Sequence, residues 1–167
     1  MNEETPTQAK SPSRDTSGAT TRRHVTRGWW LLLLFLSLGM FLEACHAFRI
    51  PWYVNVGDPE TRRLMWRLAH AHGALLAVIH VAFGLTLTVL PGWPAGRLKF
   101  TSFALTAASI LIPVGFFLGG VFVHGNGDPG LGVLLVPAGA VLFFVAVGVT
   151  ANQSRKASDS AEEKHGD

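Results

Sequence analysis

Cysteine is almost absent from this chain, since Cys45 is the only one among its 167 residues. A lone cysteine excludes a disulfide within the chain and any cysteine pair with CxxC spacing. Membrane oxidoreductases that work by thiol–disulfide exchange depend on such a pair. The sequence therefore excludes this class of protein.

Charged residues are also scarce, at 15% of the chain, whereas soluble domains carry about a quarter. Of the 14 basic and 11 acidic residues, only Glu43 falls inside a long apolar run. The chain also lacks a nucleotide-binding loop, a catalytic triad, a metalloprotease motif and an EF-hand loop. An enzyme acting on its own is therefore not expected, and the net charge of +3 needs no nucleic acid to explain it.

Four apolar runs are each long enough for the roughly 20 residues with which a helix crosses a bilayer. They cover residues 28–48, 68–90, 100–123 and 130–151. Tryptophans stand at or beyond the ends of the first three runs, where aromatic rings prefer the headgroup region. The sequence predicts an all-α polytopic membrane protein, a four-helix transmembrane bundle over residues 28–151 in contact with a lipid bilayer.

The segments on either side of this bundle, residues 1–27 and 152–167, are polar and are predicted to be disordered tails. Ten of the 14 Lys and Arg residues would lie on the side of the two tails. The positive-inside rule therefore predicts a multi-pass protein of the cytoplasmic (plasma) membrane with both termini in the cytoplasm. One alternative stays open: "TRRHVT" at 21–26 and "LEAC" at 42–45 faintly resemble export and lipoprotein signals, which would make the first span removable.

Histidines and one glutamate stand at span ends that this topology brings to the outer face. They are Glu43 and His46 in the first span, His70 and His72 in the second, and His124 after the third. Neutral imidazole is a common metal ligand, and two imidazoles on facing helices can hold a haem iron. We therefore predict a haem or transition-metal site, with His46, His72 and His124 as cofactor ligands and all five residues as candidate metal ligands. A solvated membrane interface would explain the histidines at the span ends equally well.

Two other functions remain open at this point. Glu43 and His80 are ionisable groups inside spans, which are functional candidates by default, and they would form the proton path of a proton-coupled carrier. His80 could instead bond a Ser, a Thr or a carbonyl of a neighbouring helix. Separately, the third span carries a small, mildly polar stripe that ends at His124 and consists of Ser102, Thr106, Ser109, Pro113, Gly120 and His124. The protein could also be an accessory or assembly subunit of a membrane complex.

Contact with other membrane subunits, or self-association, would use the faces of small residues in the second and third spans. These residues are Ala69, Gly73 and Ala77 in the second span, and Gly115 and Gly119 in the third. Such spacings let helix backbones approach closely in lipid.

Overall fold

The computed structural model describes residues 12–55, 59–90, 92–125 and 127–163. Over these ranges the chain is helical without a strand, and four helices are long and apolar enough to cross a membrane. They are α1 (Pro12–Ala47), α3 (Pro59–Val89), α4 (Ala95–Val121) and α5 (Leu135–Glu163). A short helix, α2 (Pro51–Val54), joins α1 to α3, and a 3₁₀ turn at Leu131–Leu134 precedes α5. The predicted all-α fold with four potential membrane spans is confirmed.

The first and last helices extend beyond the predicted spans. α1 begins at Pro12, so residues 12–27 are helical, although they were predicted to belong to a disordered tail. Proline suits a helix start, and Thr21 and Val25 pack against Gly84 of α3, which supports this polar stretch. α5 continues to Glu163, through most of the predicted tail over 152–167. Residues 1–11 and 164–167 lie outside the described residues.

The helices pack in a simple order: α3 lies against both α1 and α4, and α5 lies against α4. α1 begins and α3 ends at what we call the tail end of the bundle; the opposite end, which holds α2, is the α2 end. The predicted small-residue faces are used inside the chain. A Cβ at Gly73 would overlap the Phe35 ring of α1, and a Cβ at Gly115 would meet Val136 of α5.

Helices α1 and α3 do not face each other in the register that their apolar runs suggest. If the runs 28–48 and 68–90 were centred in one membrane, residue 38 would face residue 79. Instead His24 contacts His80, and Gly28 packs against Ala77 and Val81. The apolar run of α1 is thus displaced toward the α2 end by about ten residues, or about 15 Å. This displacement draws the polar residues around His24 alongside His80, near the centre of the apolar run over residues 68–90.

The hydrophobic core between α3, α4 and α5 contains one buried hydroxyl that can test this packing. We expect Thr101→Val to raise the free energy of unfolding by about 1 kcal/mol. The Thr101 side chain is fully buried, and its hydroxyl has no hydrogen-bond partner among the described residues. Valine keeps the shape of the side chain and removes the hydroxyl. Unfolding by SDS titration in mixed micelles measures the change.

The matched control is Ser109→Ala in the same helix. The Ser109 hydroxyl lies between His80 and the Thr106 carbonyl, so its loss should lower the free energy of unfolding by about 1 kcal/mol. A Thr101→Val protein that is less stable than the wild type would show that this hydroxyl has a partner.

Candidate functional site

Two histidines from different helices are fully buried against each other. His24 of α1 and His80 of α3 each have 0% of their surface exposed, and their Nδ1 atoms lie 2.7 Å apart. The two rings lie edge to edge and nearly coplanar, with centroids 4.9 Å apart and planes inclined by 20°, and the Phe83 ring stands roughly perpendicular to the His24 ring. At this distance one Nδ1 must carry a proton that the other accepts. We call these two residues the histidine pair.

The hydroxyl groups around the histidine pair fix which ring donates. Ser109 donates to the Thr106 carbonyl at 2.8 Å, so its oxygen is free to accept the N–H of His80 Nε2 at 3.1 Å. His80 Nδ1 is then the unprotonated nitrogen, which accepts from His24 Nδ1. The Ser102 hydroxyl completes the chain by donating to His24 Nε2 at 2.7 Å. With both imidazoles neutral, each hydrogen bond of the site thus has one donor and one acceptor.

A positively charged groove adjoins the histidine pair between α1 and α4. Arg27 donates through Nη1 to the Thr106 hydroxyl, which in turn donates to the Ser102 carbonyl at 2.7 Å. The groove measures about 630 Å³, and its lining includes Arg23, Arg27 and Lys99 together with Ser102 and Thr106. Within the described part of the chain, its lining contains three cations and no carboxylate. We call it the tail-end groove. Ser102 belongs to both the groove and the hydrogen-bond chain, so it connects the buried pair with an open surface.

The predicted outer cluster forms in part. Glu43, His46 and His70 line one groove of about 480 Å³ at the α2 end, together with Arg67 and Tyr53. His70 is half-buried and donates through Nδ1 to the Phe35 carbonyl at 2.7 Å. Burial raises the pKa of the Tyr53 phenol above its ordinary value, so the phenol remains a hydrogen-bond donor at this groove.

The other two members of the predicted cluster lie elsewhere. His72 donates to the Leu68 carbonyl of its own helix at 2.9 Å and packs on Phe116 of α4. His124 is exposed in the connection after α4, where its backbone N–H bonds to the Asp128 carbonyl. Over the described parts of the chain, no three His, Cys, Asp or Glu side chains are grouped to hold a metal ion. The structure therefore does not bring His46, His72 and His124 together as a ligand set.

Sequence reasoning missed half of the histidine pair. It identified His80 and the stripe of Ser102, Thr106 and Ser109, but it placed His24 and Arg27 in a disordered tail. One local signal was present: Thr21, His24, Val25 and Gly28 recur at three- and four-residue steps, the spacing of one helix face.

No protein-family model, curated protein or solved structure matches the chain.

Proposed function

We propose that this integral membrane protein is a proton-coupled carrier and that the histidine pair is its proton-binding site. The observation that carries the proposal is the 2.7 Å hydrogen bond between two fully buried imidazoles. Ionisable side chains inside membrane spans are costly, and they mark proton relays and ion pathways. A purely structural contact between α1 and α3 would not need titratable groups, because a single hydroxyl bonded to a carbonyl could join the two helices.

The hydrogen-bond pattern limits the pair to one added proton. A proton placed on His24 Nε2 makes this ring a double donor, and the Ser102 hydroxyl must then turn away. A second proton would leave two N–H groups pointing at each other across the 2.7 Å between the Nδ1 atoms, which no hydrogen bond can join. The pair is thus suited to hold and release one proton per cycle.

Proton exchange is expected at the tail end of the bundle. The chain of bonds reaches the surface at Ser102, whereas its other end stops at the Thr106 carbonyl. Glu43, proposed from the sequence as a partner of His80, lies 19 residues beyond His24 on α1, or about 28 Å along the helix. Of the two residues of the proton path predicted from the sequence, His80 belongs to this chain of hydrogen bonds and Glu43 does not. The excess of Lys and Arg on the side of the tails favours a cytoplasmic location for the tail end.

The proposal predicts loss of proton movement when the pair cannot titrate. Liposomes that contain the full chain and an internal pH dye are given an acid step outside in potassium phosphate. We expect internal acidification in the wild type to be roughly tenfold faster or more than in His24→Gln/His80→Gln, because glutamine bonds but takes up no proton. His124→Gln is the matched control, since His124 is exposed in a loop. Equal rates in the wild type and the double variant would refute the proposal.

A metal-binding role is the second candidate, and the groove that brings Glu43, His46 and His70 together favours it. It would need donors beyond these three, from a second chain or from water, because these residues are not grouped as a metal site. Absorption spectra before and after reduction, with metal analysis of the same sample, separate the two candidates. A Soret band or stoichiometric metal that is lost in His46→Ala would favour the metal or haem role over the carrier.

A further inference from the structure

We infer that the tail-end groove binds an oxyanion, a phosphate group held by Arg23, Arg27 and Lys99. The inference names the class of substrate or bound lipid for the proposed carrier and in that sense rests on the proposed function. Its own basis is the charge and geometry of the groove, which can be tested without any transport.

Arg27 is already oriented for such a ligand. Its side chain is half-buried, and its Nη1 donates to the Thr106 hydroxyl on the opposite wall of the groove. A guanidinium has five N–H donors in a planar fork that matches the oxygens of a phosphate. One donor fixed on Thr106 holds the plane in place, and the others remain for a ligand.

A bound anion would balance the positive charges of the groove. Arg23 and Arg27 stand four residues apart on one face of α1, a spacing at which like charges destabilise a helix. Lys99 adds a third positive charge from α4, and among the residues whose side chains the structure describes no carboxylate lines the groove to balance the set. Clefts lined by one sign of charge concentrate ions of the opposite sign.

The position of the groove along the bundle strengthens its attraction for an anion. The register of α1 places Arg27 near the level of His80, which lies nine residues from the last residue of α3, or about 14 Å from that helix end. The half-buried Arg27 has less bulk water around it than a cation at a helix end, so a bound anion stabilises it more. The 630 Å³ of the groove falls within the usual range of ligand sites.

A bound anion would also act on the histidine pair. Ser102 donates to His24 and lines the groove, so a phosphate there lies close to the ring that would take up a proton. Negative charge at this place stabilises a positive His24. Anion binding and proton uptake would then favour each other, as coupling in a carrier requires.

The test compares two double variants that remove the same charge from the same two helices. Arg23→Gln/Lys99→Gln removes cations of the groove. Arg22→Gln/Arg97→Gln removes neighbouring cations outside it, since Arg22 is exposed on α1 and Arg97 lines another surface near α5. Inorganic phosphate is titrated calorimetrically into the full chain in uncharged detergent. Lipid binding is measured by native mass spectrometry after extraction from vesicles of phosphatidylglycerol and phosphatidylcholine.

We expect the groove variant to weaken binding at least tenfold, because hydrogen bonds from charged groups contribute roughly 1.5–3 kcal/mol each and 1.4 kcal/mol is tenfold. Phosphate binding that is lost only in the groove variant identifies a soluble oxyanion. Retained phosphatidylglycerol that is lost only in that variant, without phosphate binding, identifies a lipid headgroup. Equal losses in both variants, or no binding by the wild type, overturn the inference.

These outcomes are separate from those of the proposed function. Groove-specific binding with no effect of His24→Gln/His80→Gln on proton flux would retain the oxyanion site and reject the proton-coupled carrier. Proton flux that is lost in His24→Gln/His80→Gln, without groove-specific binding of phosphate or phosphatidylglycerol, would retain the proton site and reject the oxyanion site.

Discussion

Replacing Gly73 with leucine should lower the free energy of unfolding by about 3 kcal/mol or prevent folding altogether. A Cβ at Gly73 would already overlap three ring atoms of Phe35, and leucine adds three further carbon atoms. Phe35 is buried between α1 and α3, so its ring cannot move aside without separating the two helices. Interiors at crystal-like density have no spare volume for such a change. SDS-induced unfolding of the purified protein measures the loss.

The matched control is Gly148→Leu in α5. An added Cβ there meets no atom within 4 Å, and Gly148 is exposed on the helix surface. Leucine is the better helix former, so stability should be unchanged or slightly higher. If Gly73→Leu were as stable as Gly148→Leu, the register of α1 against α3 would be wrong, and the histidine pair would lose its structural basis.

The helices were predictable because a bilayer imposes simple requirements on length and polarity. The run over residues 68–90 ends one residue beyond the observed end of α3, and the start of α3 at Pro59 follows from a proline at the first helical position. Each of these signals is local. The polar stripe of Ser102, Thr106 and Ser109 was visible for the same reason, since its spacing is that of one helix face.

The axial position of one helix against another is not a local property. Centring the apolar runs placed His24 outside the bundle, whereas close contacts at Gly28, Gly73 and Gly84 fix a displaced register. Glycine allows such contacts, but a sequence does not show which helix will meet it. The pairing of His80 with His24 was therefore beyond prediction, although a serine partner on a neighbouring helix was predicted and is found at Ser109.

The outer cluster forms only in part because equal depth in the membrane does not make side chains point in the same direction. Topology brought Glu43, His46 and His70 to one end of the bundle, and they line one groove. His72 is only two residues from His70, yet it faces Phe116 of α4, while the His70 ring lies against Gly39 of α1. Two residues along a helix turn a side chain by about 200°, so equal depth did not place these rings in one site.

We also expect the histidine pair to contribute to the free energy of unfolding. We expect His80→Leu to lower the free energy of unfolding by about 3 kcal/mol, because it leaves the Nδ1–H of His24 buried without an acceptor. His24→Leu should cost about 2 kcal/mol, since His80 then loses a donor while Ser102 remains half-buried and can rebond. Leucine is close to histidine in volume, so cavity effects stay small.

The double variant His24→Leu/His80→Leu separates a bonded pair from two independent polar residues. Once both imidazoles are gone, no ring nitrogen remains unpaired, so the loss should be about 2–3 kcal/mol rather than the sum of about 5. The difference, measured by SDS titration of all four proteins, is the coupling energy of the pair. Additive losses would show that the 2.7 Å contact between the Nδ1 atoms contributes nothing. In that case proton binding at one histidine would be independent of the other, and the limit of one added proton would no longer hold.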